Sequence, residues 1–337
     1  MAKKITIRDL ASAAGVSVTT VSQILNGKGN RFSKATQEKV LHLRDELGYV
    51  PDFNARNLIL RSSKTIGVLV PNLNNPFFST FIHGVDSTAR KEGFIALVFG
   101  ANHEEDLERF YLRQLMERSV DGFIIASASI TAKTIDDLLK PWHAPYVLFD
   151  QNGNRAGDRL EVDDYQGGRQ AAEYLAKMGH QKIVMLHPTN PTANVNNRLK
   201  GFTDGLHDAG IDFDPQQDIV SAELTKIGGY DQTDAVLAKH PTAVFSANDE
   251  MAIGLMRGLH EKGLSIPDDI SVMGYDNIDF DEYVSPKLTT IEQPMHQIGE
   301  EATNMLIKRV QNPEMDLQTV HLPVKLVTRD SVKNLKK

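Results

Sequence analysis

Apolar positions recur at helical spacing over residues 5–47 and gather into short runs beyond residue 65, and this change of period divides the chain. Within Ile5–Asn26, Leu10, Ala11 and Ala14 share one side at the three-to-four spacing, and Val21, Ile24 and Leu25 do so after a break. Thr6 precedes the first run with Asp9 three residues on, a capping arrangement, and Gly15 supplies a turn with no Cβ penalty. Ser17 caps the second run, Asn26-Gly27 stops it, and Val18, Thr19, Ser22 and Gln23 are left on its outer face. Lys28-Gly29-Asn30-Arg31-Phe32 is a basic turn. Ser33 then caps a third helix to about Leu47, with Val40, Leu43 and Leu47 inward, and Gly48 ends it. Tyr49-Val50-Pro51 is extended, because the residue before proline avoids the helical region. Two short helices joined at a glycine, with small polar residues near the start of the second, form the layout that enters a DNA major groove.

From Thr65 onward strands and helices alternate. The runs Ile66–Val70, Ile95–Phe99, Gly122–Ala126, Tyr146–Phe149, Lys182–Leu186, Ala243–Ser246, Ser271–Tyr275 and Thr289–Ile291 predict strands covered on both faces. Between them the helical period predicts helices over Pro76–Glu92, Leu107–Arg118, Tyr165–Lys177, Val195–Ala209, Gly229–Lys239, Glu250–Lys262 and Met295–Val310. The order predicts an α/β protein with doubly wound parallel sheets, and residues 64–330 are long enough for two such lobes. Asp52–Leu60 is a short helix candidate, marginal on its own because helix nucleation dominates below roughly 12–15 residues.

Charge sharpens the division. The net charge is −7, yet residues 1–64 carry 11 Lys/Arg against 5 Asp/Glu while the remainder carries 26 against 39. A basic head on an acidic body concentrates phosphate attraction at one end. The absence of cysteine excludes disulfides and thiolate metal sites and suits the cytoplasm. No apolar run approaches the roughly 18 residues of a membrane span, and MAKKITIRD lacks the apolar stretch of a secretory signal. Gly-rich phosphate loops, a nucleophile elbow and the HExxH string are all missing, and the 11 histidines form no ligand spacing. The acidic run Asn102–Asp106 reads as a helix start rather than a metal site. The sequence therefore predicts no enzyme, no cofactor and no metal.

The string Ala13-Ala14-Gly15-Val16-Ser17, followed by Thr20-Val21-Ser22, resembles the DNA-binding head of the lac repressor (LacI/GalR) family. That resemblance implies a helix-turn-helix head over 1–50, a hinge helix or linker over 51–63, and an effector-binding and dimerisation core over 64–330 of periplasmic-binding-protein type. Lobe 1 would span about 64–161 and 293–322, and lobe 2 about 162–292 and 323–330, with crossings near 161–163, 291–293 and 322–325. By the resemblance Val18, Thr19 and Gln23 read base edges, and Thr6, Ser17, Thr20, Ser22 and Asn26 are further DNA-binding residues. Most family members carry Arg where Gln23 stands. In the hinge, Asn54, Ala55 and Leu58 match the segment that orders on operator DNA and wedges a leucine into the minor groove.

In the core, Asn75, Phe77 and Phe78 lie in Leu-Asn-Asn-Pro-Phe-Phe after the first strand. Asp150, Arg198, Asn248, Tyr275, Asp276 and Gln293 fall at or just beyond other predicted strand ends, or open the helices beyond them. Each residue alone is equally readable as a cap, turn or core residue, but as a set they resemble the ligand contacts of the family's ribose-binding group. Paired carboxylate, guanidinium and amide groups are what a polyhydroxyl ligand requires. Gln151 and Ala126 depart from that group, where Arg and Asn stand, so a hexose or another small effector stays open beside D-ribose. The expected partners are a pseudo-palindromic double-stranded operator, a sugar effector and a second copy of the chain. After Val327 there are no leucine heptads, which argues for a homodimer rather than a tail-mediated tetramer. The alternatives are the same DNA role under a purine corepressor or a phosphocarrier protein, and a solute-binding protein without DNA function.

Overall fold

The computed structural model describes residues 5–51, 62–102, 104–127, 130–149 and 157–336. The chain divides into two compact units, residues 1–63 and 64–337.

The first unit holds three helices, α1 (Ile7–Ala14), α2 (Val18–Leu25) and α3 (Lys34–Glu46). Thr6 and Asp9 form a reciprocal capping box on α1, the Thr6 N–H donating to Asp9 Oδ2 at 2.9 Å and the Asp9 N–H to Thr6 Oγ1 at 3.3 Å. Gly15 takes the left-handed conformation at φ 68°, closing the turn before Ser17 caps α2 by accepting the Thr20 N–H. Leu10, Ala11, Ala14, Val21, Ile24 and Val40 make the core, and Tyr49, beyond α3, completes it.

The second unit is built from two six-stranded sheets. In chain order its elements begin β1 (Thr65–Val70), α4 (Pro76–Lys91), β2 (Ile95–Gly100), α5 (Glu105–Glu117), β3 (Gly122–Ile125), α6 (Ala132–Leu138), β4 (Tyr146–Phe149) and β5 (Asp158–Val162). Next come α7 (Asp164–Lys177), β6 (Ile183–Pro188), α8 (Ala193–Asp208), α9 (Pro215–Asp218), β7 (Ile219–Ala222), α10 (Lys226–Asp231), α11 (Thr233–Leu237), β8 (Ala243–Ser246), α12 (Asp249–Glu261), β9 (Ser271–Asp276) and β10 (Thr289–Glu292). The chain closes with α13 (Met295–Gln311), β11 (Thr319–Leu322) and β12 (Lys325–Val327). The first sheet is parallel throughout in the order β11-β5-β4-β3-β1-β2. The second runs β12-β10-β9-β8-β6-β7, parallel except where β12 pairs antiparallel with β10. The chain passes from one sheet to the other between β5 and α7, between β10 and α13, and between β11 and β12.

The structure departs from the expected elements in several places, the short helices α6 and α9 among them. The helix predicted over Gly229–Lys239 is two short helices, because Thr233 Oγ1 takes the Tyr230 carbonyl at 2.6 Å and interrupts the ladder. Four strands carry no apolar run in the sequence. Three of them, β7, β11 and β12, are sheet edges, where polar residues on short strands guard against further pairing, and β5 lies next to the edge.

Helices cross closely in each lobe. A Cβ on Gly168 of α7 would lie 2.0 Å from the Arg198 carbonyl oxygen, and one on Gly201 of α8 would lie 1.9 Å from the Tyr165 carbonyl. This approach draws the start of α7 against α8 and brings Asp164 within hydrogen-bond reach of Arg198.

Candidate functional site

On the head, Val18 is 40% exposed and Thr19 is exposed beside it, so both side chains face outward from the first turn of α2. Thr6, Ser17 and Asn26 are also exposed, but each serves a helix end. Asn26 Nδ2, for example, donates to the Ser22 carbonyl at 2.7 Å. Thr20 and Ser22 are half-buried, Thr20 sharing a hydroxyl hydrogen bond with Ser17 at 2.9 Å. Gln23 differs from the outward placement its spacing predicts. It is half-buried, and its Oε1 is covered without a hydrogen-bond partner among the described residues. Asn54, Ala55 and Leu58 lie outside the described residues.

The second sheet presents the carboxyl ends of β6, β8, β9 and β10 together, and a buried polar cluster sits there. Arg198, near the start of α8 and only 3% exposed, donates from Nη2 and Nε to Asp164 Oδ1 at 2.7 and 3.2 Å and from Nη1 to the Ala247 carbonyl. Its guanidinium lies 3.3 Å from the centre of the Tyr275 ring, a stacked cation–π contact. Burial works against the Arg198 cation, but Asp164, Tyr275 and Asp276 together outweigh it and hold its proton tightly. Burial lifts the Asp164 carboxyl above its ordinary range, and the charge and hydrogen bonds of Arg198 pull it back.

Asp276 ends β9 at φ 127° and Asn277 comes next at φ 58°, two left-handed conformations in succession that store backbone strain. The Asp276 carboxyl meets Gln293, whose Nε2 donates to Oδ1 at 2.8 Å just after β10, where the chain leaves the sheet. Burial and the neighbouring Asp249 push the Asp276 carboxyl well above its ordinary range. Asn248 caps α12 by accepting the Met251 N–H at 2.9 Å. Beneath lies Asp249, bonded by Thr290 Oγ1 at 2.7 Å and the Ile278 N–H at 3.1 Å, in space that exists because position 274 is glycine. Asp281 is fully buried near it. Burial, then the charge of Asp249, raises its carboxyl to about 11, so it carries a proton at neutral pH.

In the other lobe Asn75 caps α4, accepting the Phe77 N–H at 2.9 Å. Phe77 and Phe78 meet edge to face at 5.0 Å and are buried in an apolar cluster that also takes in Ile278, two residues after Asp276. The structure thus brings together Arg198, Asn248, Tyr275, Asp276 and Gln293, and links them through Ile278 to Phe77 and Phe78. Asp150 lies outside the described residues.

Two families of known proteins match the chain. Residues 6–52 match the bacterial regulatory proteins of the lacI family, and residues 63–330 match the periplasmic binding proteins and sugar binding domain of the LacI family. The chain belongs to the LacI family. It is a DNA-binding transcriptional regulator with a helix-turn-helix head and a periplasmic-binding-protein-like core. The HTH-type transcriptional repressor PurR of Vibrio vulnificus is 37% identical over 339 residues, covering 98% of this chain and 99% of its own. A LacI family transcriptional regulator from Enterococcus faecium, solved with bound ribose, is 40% identical with a TM-score of 0.76, covering 80% of this chain and 99% of that one. The lac repressor dimer bound to operator and the anti-inducer ONPF is 28% identical with a TM-score of 0.87, covering 98% of this chain and all of that one.

Asp164, Asp249 and Asp281 of this LacI-family regulator are not marked as site residues by the sequence pattern. Asp164 carries a usable signal, an acidic residue at the first position of a helix whose glycines predict a close helix neighbour. The other two carry none, since their proximity depends on Gly274 leaving room.

Proposed function

We propose that this regulator is a cytoplasmic repressor of a sugar-uptake or sugar-use operon, released from its operator when D-ribose binds between the lobes. The observation that carries the reading is the buried cluster of Arg198, Asp164, Tyr275, Asp276 and Gln293 at the strand ends, where open α/β sheets take ligands. Its paired donors and acceptors suit hydroxyl groups, and in this reading Phe77 and Phe78, buried in the apolar cluster of the other lobe, back the sugar ring. Val18, Thr19 and Gln23 read base edges in this reading, Thr6, Ser17, Thr20, Ser22 and Asn26 position the head, and residues 51–63, with Asn54, Ala55 and Leu58, form the hinge.

Specific DNA binding by so small a head calls for two copies on a two-fold operator. The exposed apolar residues Ile227 and Tyr283, 72% and 83% exposed, support a homodimer through this lobe. Phe280 joins their segments, with Lys226 Nζ 5.6 Å from its ring centre.

The charge balance favours a neutral ligand. Arg198 is already neutralised by Asp164, so a phosphate there would be a buried charge without a partner. The similarity to PurR favours a second reading, a purine corepressor, and one experiment separates the two. Thermal unfolding is followed with D-ribose, ribose 5-phosphate and purine bases. D-ribose at 100 times its Kd adds about 2.7 kcal/mol of stability, while ribose 5-phosphate at the same concentration adds little. Stabilisation by a purine base and not by ribose overturns the reading.

A further inference from the structure

We propose that His187 is a further effector-contacting residue, which sets specificity by hydrogen-bonding one hydroxyl of the ligand. The inference rests on the reading that this cluster holds a sugar. His187 lies next to the end of β6, a strand whose sequence is otherwise aliphatic up to that point, and it is 5% exposed. Its Nε2 is buried without a hydrogen-bond partner among the described residues.

The main chain places it beside the cluster. The carbonyl of the preceding Leu186 accepts the Ala247 N–H at 2.8 Å, and the Ala247 carbonyl in turn accepts from Arg198 Nη1. Arg198 is bonded to Asp164 and Gln293 to Asp276, while Asn248 is bonded to the start of its own helix. The Tyr275 hydroxyl, also buried, lies against the Asp164 carboxylate. A buried polar atom left open is uncommon in a folded protein, and here a ligand supplies what the chain does not.

Burial lowers the His187 pKa, and the charge of Arg198 lowers it further, against hydrogen bonds between the ring and the backbone of Pro188 and Val195, which favour the charged form. The ring is therefore neutral at physiological pH and offers one donor and one acceptor. A hydroxyl group both donates and accepts, so it satisfies Nε2 in either tautomer. Both ring nitrogens of His180 are bonded, to Thr242 at 3.0 Å and to the Lys333 carbonyl at 3.1 Å, whereas Nε2 of His187 has no partner among the described residues.

The test uses the full chain, D-ribose, and the variants His187→Phe and His187→Gln, the first keeping ring volume and the second keeping a donor and an acceptor. Calorimetric titration finds the ribose Kd raised roughly tenfold in His187→Phe, the value of one hydrogen bond to a buried group, and largely restored in His187→Gln. Operator affinity without sugar is the same in all three proteins. The ring ¹⁵N resonances of His187 in the unmodified protein move when ribose is added, which does not depend on how a variant folds. An unchanged Kd in His187→Phe, or ring resonances that stay fixed while ribose binds, overturns the role of His187 and leaves the sugar reading intact. No ribose binding by the unmodified protein overturns the sugar reading itself, and the inference with it.

Discussion

Gln23 shows how much a single side chain decides. Arg pairs best with guanine, whereas Gln pairs with the adenine edge through two hydrogen bonds. In the proposed reading the covered Oε1 of Gln23 swings clear of the head to meet a base. Gln23→Arg therefore changes the preferred half-site base by about 1–3 kcal/mol at that position. Selection from a random duplex library with both proteins checks this, and identical half-sites would refute it. Glu108 is the other informative residue. It is fully buried on α5, bonded by the Ser127 hydroxyl, and burial above all raises its carboxyl to about 7. An acid whose folded pKa exceeds its unfolded value favours folding at low pH, and that advantage is lost as pH rises from about 4.5 to about 7. Glu108→Gln removes the dependence. Its stability relative to the unmodified protein rises on the order of 3 kcal/mol between pH 4 and pH 8, measured by denaturant unfolding. A constant difference across that range would contradict the assignment. At this scale the sequence is legible where a residue acts on its own backbone, as Thr6, Ser17 and Ser33 do as caps. It is silent where a role depends on distant partners, as with Glu108 or the unpaired nitrogen of His187.

Among the elements, the close crossing of α7 and α8 holds the cluster together. Gly201→Ala drives a methyl into the Tyr165 carbonyl and costs about 1–3 kcal/mol or more through overpacking. Arg198→Ala leaves Asp164 buried without its cation and costs roughly 3–5 kcal/mol. Both losses are read by thermal or denaturant unfolding, and either variant remaining as stable as the unmodified protein would mean the crossing is not rigid. Loss of sugar response in Arg198→Ala alone does not isolate a ligand contact, because the same change removes a structural ion pair. The central strands and long helices are legible because burial on both faces imprints an apolar run or a helical period. The edge strands β7, β11 and β12 are not, since half-exposed short strands need no such run. The break at Gln232 is hidden because a single hydroxyl, that of Thr233, causes it.

For the whole molecule, the division of charge and the three crossings between the sheets describe a regulator in which a basic head serves an acidic sensor. Coupling between the two is a free energy and is reciprocal, so a sugar that weakens DNA binding must itself bind more weakly to the DNA-bound protein by the same factor. Association with any duplex must also fall steeply with salt, because Lys and Arg displace condensed counterions. The most direct test is a titration of a selected operator duplex, monitored by fluorescence anisotropy at fixed salt, with and without saturating D-ribose. The expected result is a clear preference for that duplex over random competitor and a roughly 5- to 150-fold loss of affinity when ribose is present. Affinity indifferent to ribose would contradict the proposed control, and no preference for any duplex would contradict the DNA-binding role on which the rest depends.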